Sequence, residues 1–88
     1  MPIISIFYGL IVQMFNEVGA QHKIPHIHVE YGEMTAVFDF QGNILKGELP
    51  ANKRKIMETW IMLHEEELLV NWKLISRGEP HIKIEGLK

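Results

Sequence analysis

Three histidines lie close together in the sequence, at His22, His26 and His28. Histidine titrates near neutral pH, and its neutral imidazole is a common metal ligand. Residues two apart on a β-strand point to the same face, with Cα atoms about 7 Å apart. We therefore expect His26 and His28 to converge on one ion or one phosphate, with His22 reaching them from the preceding loop.

The strand that carries these histidines is indicated by alternating polar and apolar residues over 26–31. Gly32-Glu33 suits a two-residue hairpin turn with glycine first, so 34–40 should return as the partner strand. Counting from that turn places His26 opposite Asp39. The same count places three residues of the first strand on one face of the hairpin, each opposite a residue of the partner strand. The pairs are His26 with Asp39, His28 with Val37, and Glu30 with Thr35.

Two kinds of chemistry fit this cluster. Three imidazoles and a carboxylate, from His22, His26, His28 and Asp39, would suit Zn²⁺ or another divalent transition metal. Asp39 can instead orient an imidazole through its ring N–H. Alternatively, His26 and His28 are the catalytic candidates for acid–base work on a phosphodiester. A third interpretation leaves the histidines as polar residues of a solvent-facing strand.

Basic residues that would contact a phosphate are Lys46, Lys53 and Arg54. The net charge is −2 at pH 7 with neutral histidines. Capture of nucleic acid by electrostatics usually requires a basic domain, so the charge balance does not support a nucleic-acid partner. A solvated helix face is the more ordinary interpretation of adjacent lysines and arginine.

The remaining segments extend the predicted fold. The apolar run over 7–15 predicts a first strand, and 16–25 a loop. A turn at Gly42-Asn43 would pair Phe40 with Leu45 and Asp39 with Lys46.

From Pro50 onward the apolar residues recur at helical spacing. Gly78 followed by Pro80 predicts the end of the helical segment. A straight helix over 51–77 would be about 40 Å long, whereas a domain of this size is about 30 Å across. We therefore expect a break near His64, which itself belongs to the core or the helix junction. The tail over 80–88 should dock as an extended segment.

These elements predict an α+β fold. An antiparallel sheet of about four strands in the N-terminal half is packed by one long kinked helix or two helices in the C-terminal half. The length of 88 residues suits a single domain over 1–88. The chain has no cysteine, which excludes disulfides and thiolate metal sites. Its short apolar runs predict no membrane span, and a cytoplasmic location is expected.

A set of motifs is spread over almost the whole chain: Pro2-Ile3-Ile4-Ser5-Ile6-Phe7-Tyr8-Gly9, His22-x-x-Pro25-His26-Ile27-His28-Val29-x-Tyr31-Gly32, Leu49-Pro50, Trp60-x-x-x-His64-x-x-Glu67-Leu68, Asn71-Trp72 and Arg77-Gly78-Glu79-Pro80. In these motifs the chain resembles a bacterial family, the domain-of-unknown-function family 4160. One departure is Ile24, where the family often has a proline.

The resemblance implies a small bacterial protein, often encoded beside another small uncharacterised protein. That arrangement suggests a two-gene module of the toxin–antitoxin type. The first functional hypothesis is a binding or regulatory module that acts with a partner protein through its histidine-lined face. The second is a metal-dependent or histidine-based ribonuclease, and the third a structural module that self-associates. No catalytic triad or phosphate loop is recognisable, which favours a binding role over an enzyme.

Overall fold

The computed structural model describes residues 3–15 and 24–87, which form five strands followed by two helices. The strands form one antiparallel sheet in chain order. The predicted α+β class is confirmed, with one strand more than the expected four. The elements are β1 (Ile3–Phe7), β2 (Leu10–Gln13), β3 (His26–Tyr31), β4 (Met34–Asp39), β5 (Ile44–Gly47), α1 (Ala51–Leu63) and α2 (Glu65–Ser76).

The additional strand comes from the N-terminal apolar run. A single strand over 7–15 is wrong, because Tyr8 and Gly9 form a tight turn between β1 and β2. Both residues have positive φ, 50° and 78°, as the twist of a two-residue hairpin requires. A glycine within an apolar run was the signal for this break. Residues 16–23 of the predicted loop lie outside the described part of the chain.

The central hairpin has the predicted register. His26 pairs with Asp39, His28 with Val37 and Glu30 with Thr35. Gly32 begins the turn with a φ of 59°. Because the strand period is two, this register places both histidines on one face and Ile27, Val29, Ala36 and Phe38 on the other.

The predicted register of the next hairpin is wrong. Lys46 pairs with Val37 instead of Asp39, and Phe38 pairs with Ile44 across an irregularity in the ladder. The reason is the side chain of Asp39, which closes a longer turn. Its Oδ1 accepts hydrogen bonds from the backbone N–H groups of Gln41 and Asn43.

Both helices pack on one face of the sheet. The predicted break at His64 is confirmed, since α1 ends at Leu63 and α2 begins at Glu65. Three consecutive glutamates occupy the first turn of α2, where the helix dipole favours negative charge. The buried apolar core between helices and sheet comprises Ile4, Phe7, Leu10, Val12, Met14, Ile27, Val29, Ala36, Phe38, Phe40, Leu49, Met57, Trp60, Ile61, Leu68, Ile75 and Ile84.

The C-terminal tail docks on the helices and on β1, as predicted. The Asn71 side chain is fully buried and exchanges two hydrogen bonds of 2.7 Å with the backbone of Ile82. Trp60 Nε1 donates to the carbonyl of Glu85 at 2.8 Å. Ile84 N–H donates to the carbonyl of Ile4, which covers part of the outer edge of β1.

Close packing of this tail requires a glycine at Gly86. A Cβ at that position would lie 2.5 Å from Cβ of Phe7. Among the described residues, neither helix is long and apolar enough to cross a membrane.

The hydrogen bonds of Asn71 predict a large effect of its removal. Asn71→Ala leaves the N–H and C=O of Ile82 without their partner, so the free energy of unfolding should fall by about 3 kcal/mol. Asn52→Ala, on the exposed start of α1, is the matched control and should change it by less than about 0.5 kcal/mol. Urea unfolding followed by circular dichroism measures both values. Equal stability of the two variants would contradict the proposed role of Asn71.

Candidate functional site

The face of the sheet that carries His28 also carries a row of three polar residues and one valine, in which Lys46 is exposed and Gln13 is buried. Gln13 on β2 pairs with His28 on β3, His28 pairs with Val37 on β4, and Val37 pairs with Lys46 on β5. This row crosses four neighbouring strands, a distance of about 14 Å. The row lines a groove of about 400 Å³. We call this groove the histidine face and define it by six of its lining residues: Gln13, Phe15, His28, Glu30, Val37 and Lys46.

His28 lies in the middle of this row and is half-buried. Its imidazole and the ring of Phe15 make an edge-to-face contact, with the ring centroids 4.5 Å apart and an interplanar angle of 80°. Edge-to-face contact of this kind restrains the ring orientation. The imidazole of His28 is therefore presented in a restrained orientation beside the groove.

His26 lies at the first position of β3 and contacts both His28 and α2. Its ring centroid is 5.2 Å from that of His28 and 5.3 Å from that of Trp72. The predicted convergence of the two histidines is therefore present at the level of ring contact. His26 is only 5% exposed, so its ring is not a solvent-facing one.

The tautomer of His26 follows from its backbone contact. Nδ1 lies 2.7 Å from the carbonyl oxygen of Ile24 and donates to it. In a neutral ring the other nitrogen, Nε2, is then the basic one. A backbone carbonyl on Nδ1 is the usual arrangement behind a histidine that binds a metal or acts as a base through Nε2. Pro25 separates the two partners and limits the backbone freedom between them.

Asp39 lies opposite His26 in the register, and its carboxylate holds the turn that follows. Oδ2 accepts from the side-chain amide of Asn43 at 3.1 Å, in addition to the two backbone N–H groups on Oδ1. Burial alone would raise the pKa of Asp39. Hydrogen bonds from Asn43, Gln41 and Gly42 outweigh it and hold the pKa below its ordinary value.

Within residues 3–15 and 24–87, no three His, Cys, Asp or Glu side chains are grouped closely enough to hold a metal ion. His26 and His28 are together, and Asp39 is engaged in its turn. The fourth predicted ligand, His22, lies outside the described residues.

The three predicted phosphate contacts are not brought together. Lys46 is part of the histidine face. Lys53, on α1, donates to the carbonyl of Tyr8 at 3.3 Å, and its ammonium lies 5.2 Å from the ring centroid of Tyr31. Arg54 is 4.0 Å from the carboxylate of Glu58. Lys46 is thus the basic residue of this set that lies beside the histidines.

Several residues of the resemblance have structural contacts. His64 Nδ1 donates to Glu67 at 2.7 Å, and the imidazole packs on Trp60 with centroids 5.3 Å apart. This is the predicted helix-junction role of His64. Trp60 and Asn71 hold the C-terminal tail, a role that their helical spacing does not indicate.

Gln13 and Phe15 were also missed as members of the site. Both fall in the apolar run over 7–15, whose pattern predicts one strand and gives no partner for His28. Gln13 was detectable in principle, since it is a single polar residue among apolar neighbours.

The turn contacts of Asp39 predict a pH-dependent stability. The pKa of Asp39 is lower in the folded state than in the unfolded state, where it is near 3.8. The stabilisation is therefore fully present at a pH above the unfolded-state pKa, and it is lost as the pH falls through the folded-state pKa. Asp39→Asn should lower the free energy of unfolding by about 1 to 2 kcal/mol at pH 7, because a neutral amide accepts weaker hydrogen bonds.

This difference from the unmodified chain should shrink below pH about 4, measured by urea unfolding across a pH series. Glu33→Gln, in an exposed turn, is the control and should shift stability little at any pH. An Asp39→Asn deficit that stays constant into acid would contradict this interpretation.

Comparison with known protein families gives a match. The model of the family described as Domain of unknown function (DUF4160) matches residues 9–73, a segment that spans β2 to β5, α1 and most of α2. No curated protein and no solved structure matches this chain significantly. The match covers well over half of the chain and includes the histidine face, so this protein belongs to the DUF4160 family.

Proposed function

We propose that this protein is a binding module that holds a partner protein on its histidine face. The supporting observation is the row of Gln13, His28, Val37 and Lys46 across four strands. A rigid sheet positions these side chains more precisely than a loop does. The buried apolar residues of both helices pack with Ile27, Val29, Ala36 and Phe38 of the other face, while Trp72 of α2 also contacts His26 at the start of β3.

The chemistry of the face favours a polypeptide with both apolar and acidic side chains. Val37 and the ring of Phe15 supply apolar contact, and protein interfaces combine such an apolar centre with a polar rim. Lys46 and the imidazole of His28 can donate to a carboxylate of the partner. Glu30, on the same face, accepts from a donor and so restricts the orientation in which the partner docks.

The neighbouring-gene arrangement implied by the family resemblance names a partner to test. The proposal is that this neighbouring small protein binds the histidine face, as in a module of the toxin–antitoxin type. This protein is proposed to act in the cytosol, because a chain without cysteine shows no adaptation to an oxidising compartment.

Charge reversal at Lys46 tests this proposal. Lys46→Glu should weaken the complex with the neighbouring small protein by ten- to a hundredfold, because it places a carboxylate against the partner's acidic group. His28→Ala should weaken it less, by about tenfold. Isothermal titration calorimetry with both purified proteins measures the affinities.

Lys55→Glu is the matched control, since it makes the same charge change on the exposed surface of α1, away from the groove. The control should bind like the unmodified protein. If Lys46→Glu and Lys55→Glu bind equally well, the histidine face is not the docking surface.

A second candidate function is a histidine-based or metal-dependent ribonuclease. The observation that favours it is the pair of adjacent imidazoles, together with the Nδ1 contact that makes Nε2 the basic nitrogen of His26. Neutral imidazoles are ligands of Zn²⁺, and the ring centroids of His26 and His28 lie 5.2 Å apart. The metal version requires a further ligand, for which His22 is the proposed residue.

The double variant His26→Ala/His28→Ala tests this second candidate. It should lose zinc binding in a calorimetric titration by at least a hundredfold, and lose cleavage of single-stranded RNA measured with and without Zn²⁺. Because His26 is buried, circular dichroism must first show that the variant is folded. RNA cleavage that survives in the double variant places the activity elsewhere. Equal zinc binding by both proteins refutes the metal site.

A further inference from the structure

The outward surface of α2 carries two exposed apolar residues between charges of opposite sign. Leu69 and Val70 are 40% and 49% exposed. Glu66 lies one turn before them and Lys73 one turn after them, and both charged residues are exposed. Neither Glu66 nor Lys73 forms an ion pair with another residue of the described ranges.

Helical geometry places these four residues on one face. Steps of three and four residues along a helix return to the same side, so Glu66, Leu69, Val70 and Lys73 are neighbours on the surface. The opposite side of α2 carries Leu68, Asn71 and Ile75, which are buried. The four residues therefore form an exposed surface on the side of α2 opposite to its buried residues. We call it the α2 surface.

The α2 surface is complementary to itself. Glu66 lies three positions before Leu69, and Lys73 lies three positions after Val70. A two-fold axis between Leu69 and Val70 therefore brings Glu66 of one copy opposite Lys73 of the other, about 4.5 Å along the helix from the apolar pair. The symmetry repeats the ion pair on the other side.

We propose that two copies of this chain associate through antiparallel contact of their α2 surfaces. Leu69 and Val70 of the two copies form the apolar centre, and two Glu66–Lys73 ion pairs flank it. This surface is separate from the histidine face, so the proposal is independent of the proposed partner binding.

A second copy fits this surface better than an unrelated acidic or basic helix does. A basic helix would be attracted to Glu66 and repelled by Lys73. An acidic helix would be attracted to Lys73 and repelled by Glu66. A helix with the same order of charges, run antiparallel, meets an opposite charge at both ends. That order is a property of α2 itself.

Charge reversal with mixing tests the proposal by sedimentation of the full chain. The unmodified protein should dimerise weakly, as expected of a small interface. Glu66→Lys alone and Lys73→Glu alone should each weaken dimerisation at least tenfold, because each brings like charges together. An equimolar mixture of the two variants should restore a heterodimer, since both of its ion pairs again join opposite charges.

The control is Lys55→Glu on α1, which should dimerise like the unmodified protein. Circular dichroism checks that each variant is folded, and both substitutions are at exposed positions. An unmodified chain that stays monomeric at about 1 mM overturns the proposal. So do variants that dimerise as the unmodified chain does, or a mixture in which the two variants remain apart.

Discussion

The one-sided packing of the sheet determines the rest of the structure. Successive residues of a strand point to opposite faces, and both helices cover the same face. The register of β3 and β4 therefore decides which side chains enter the core and which are presented beside the groove. A shift of β3 by one residue would bury His28 and expose Ile27 and Val29. Burial of the apolar set makes that shift unfavourable, so the hydrophobic core also positions the candidate site.

Polar side chains determine two features that apolar burial alone does not, the register of β5 and the path of the C-terminal tail. Asp39 closes the turn after β4 and so sets where β5 begins, which brings Lys46 opposite Val37. Asn71 satisfies both backbone groups of Ile82 in a fully buried position. These contacts are directional, whereas apolar contact is not, and they specify the register of the last strand and the path of the tail.

Local patterns were sufficient for the central hairpin and for the helix break. The alternation of polar and apolar residues, with a turn that begins at glycine, predicted all six residue pairs between β3 and β4. A single helix would have been longer than the domain is wide, and this comparison predicted the break at His64. The errors arose where one pattern fits two structures. An apolar run with Gly9 inside reads as one strand or as a hairpin, and Gly42-Asn43 reads as a two-residue turn unless the side chain of Asp39 is considered.

For the candidate site, the alternation of polar and apolar residues placed His26 beside His28. It did not place Gln13 and Phe15 beside His28, because that proximity depends on the pairing of β2 with β3, which is not local in sequence.

The docked tail also affects how the chain can be synthesised. Ile84 covers the outer edge of β1 near the start of the chain, and Gly86 packs on Phe7. Translation proceeds from the N-terminus, so β1 leaves the ribosome long before the segment that covers it. During that interval its edge offers unpaired N–H and C=O groups to other chains. Nascent chains on one polysome are therefore most prone to strand exchange before residue 84 has emerged.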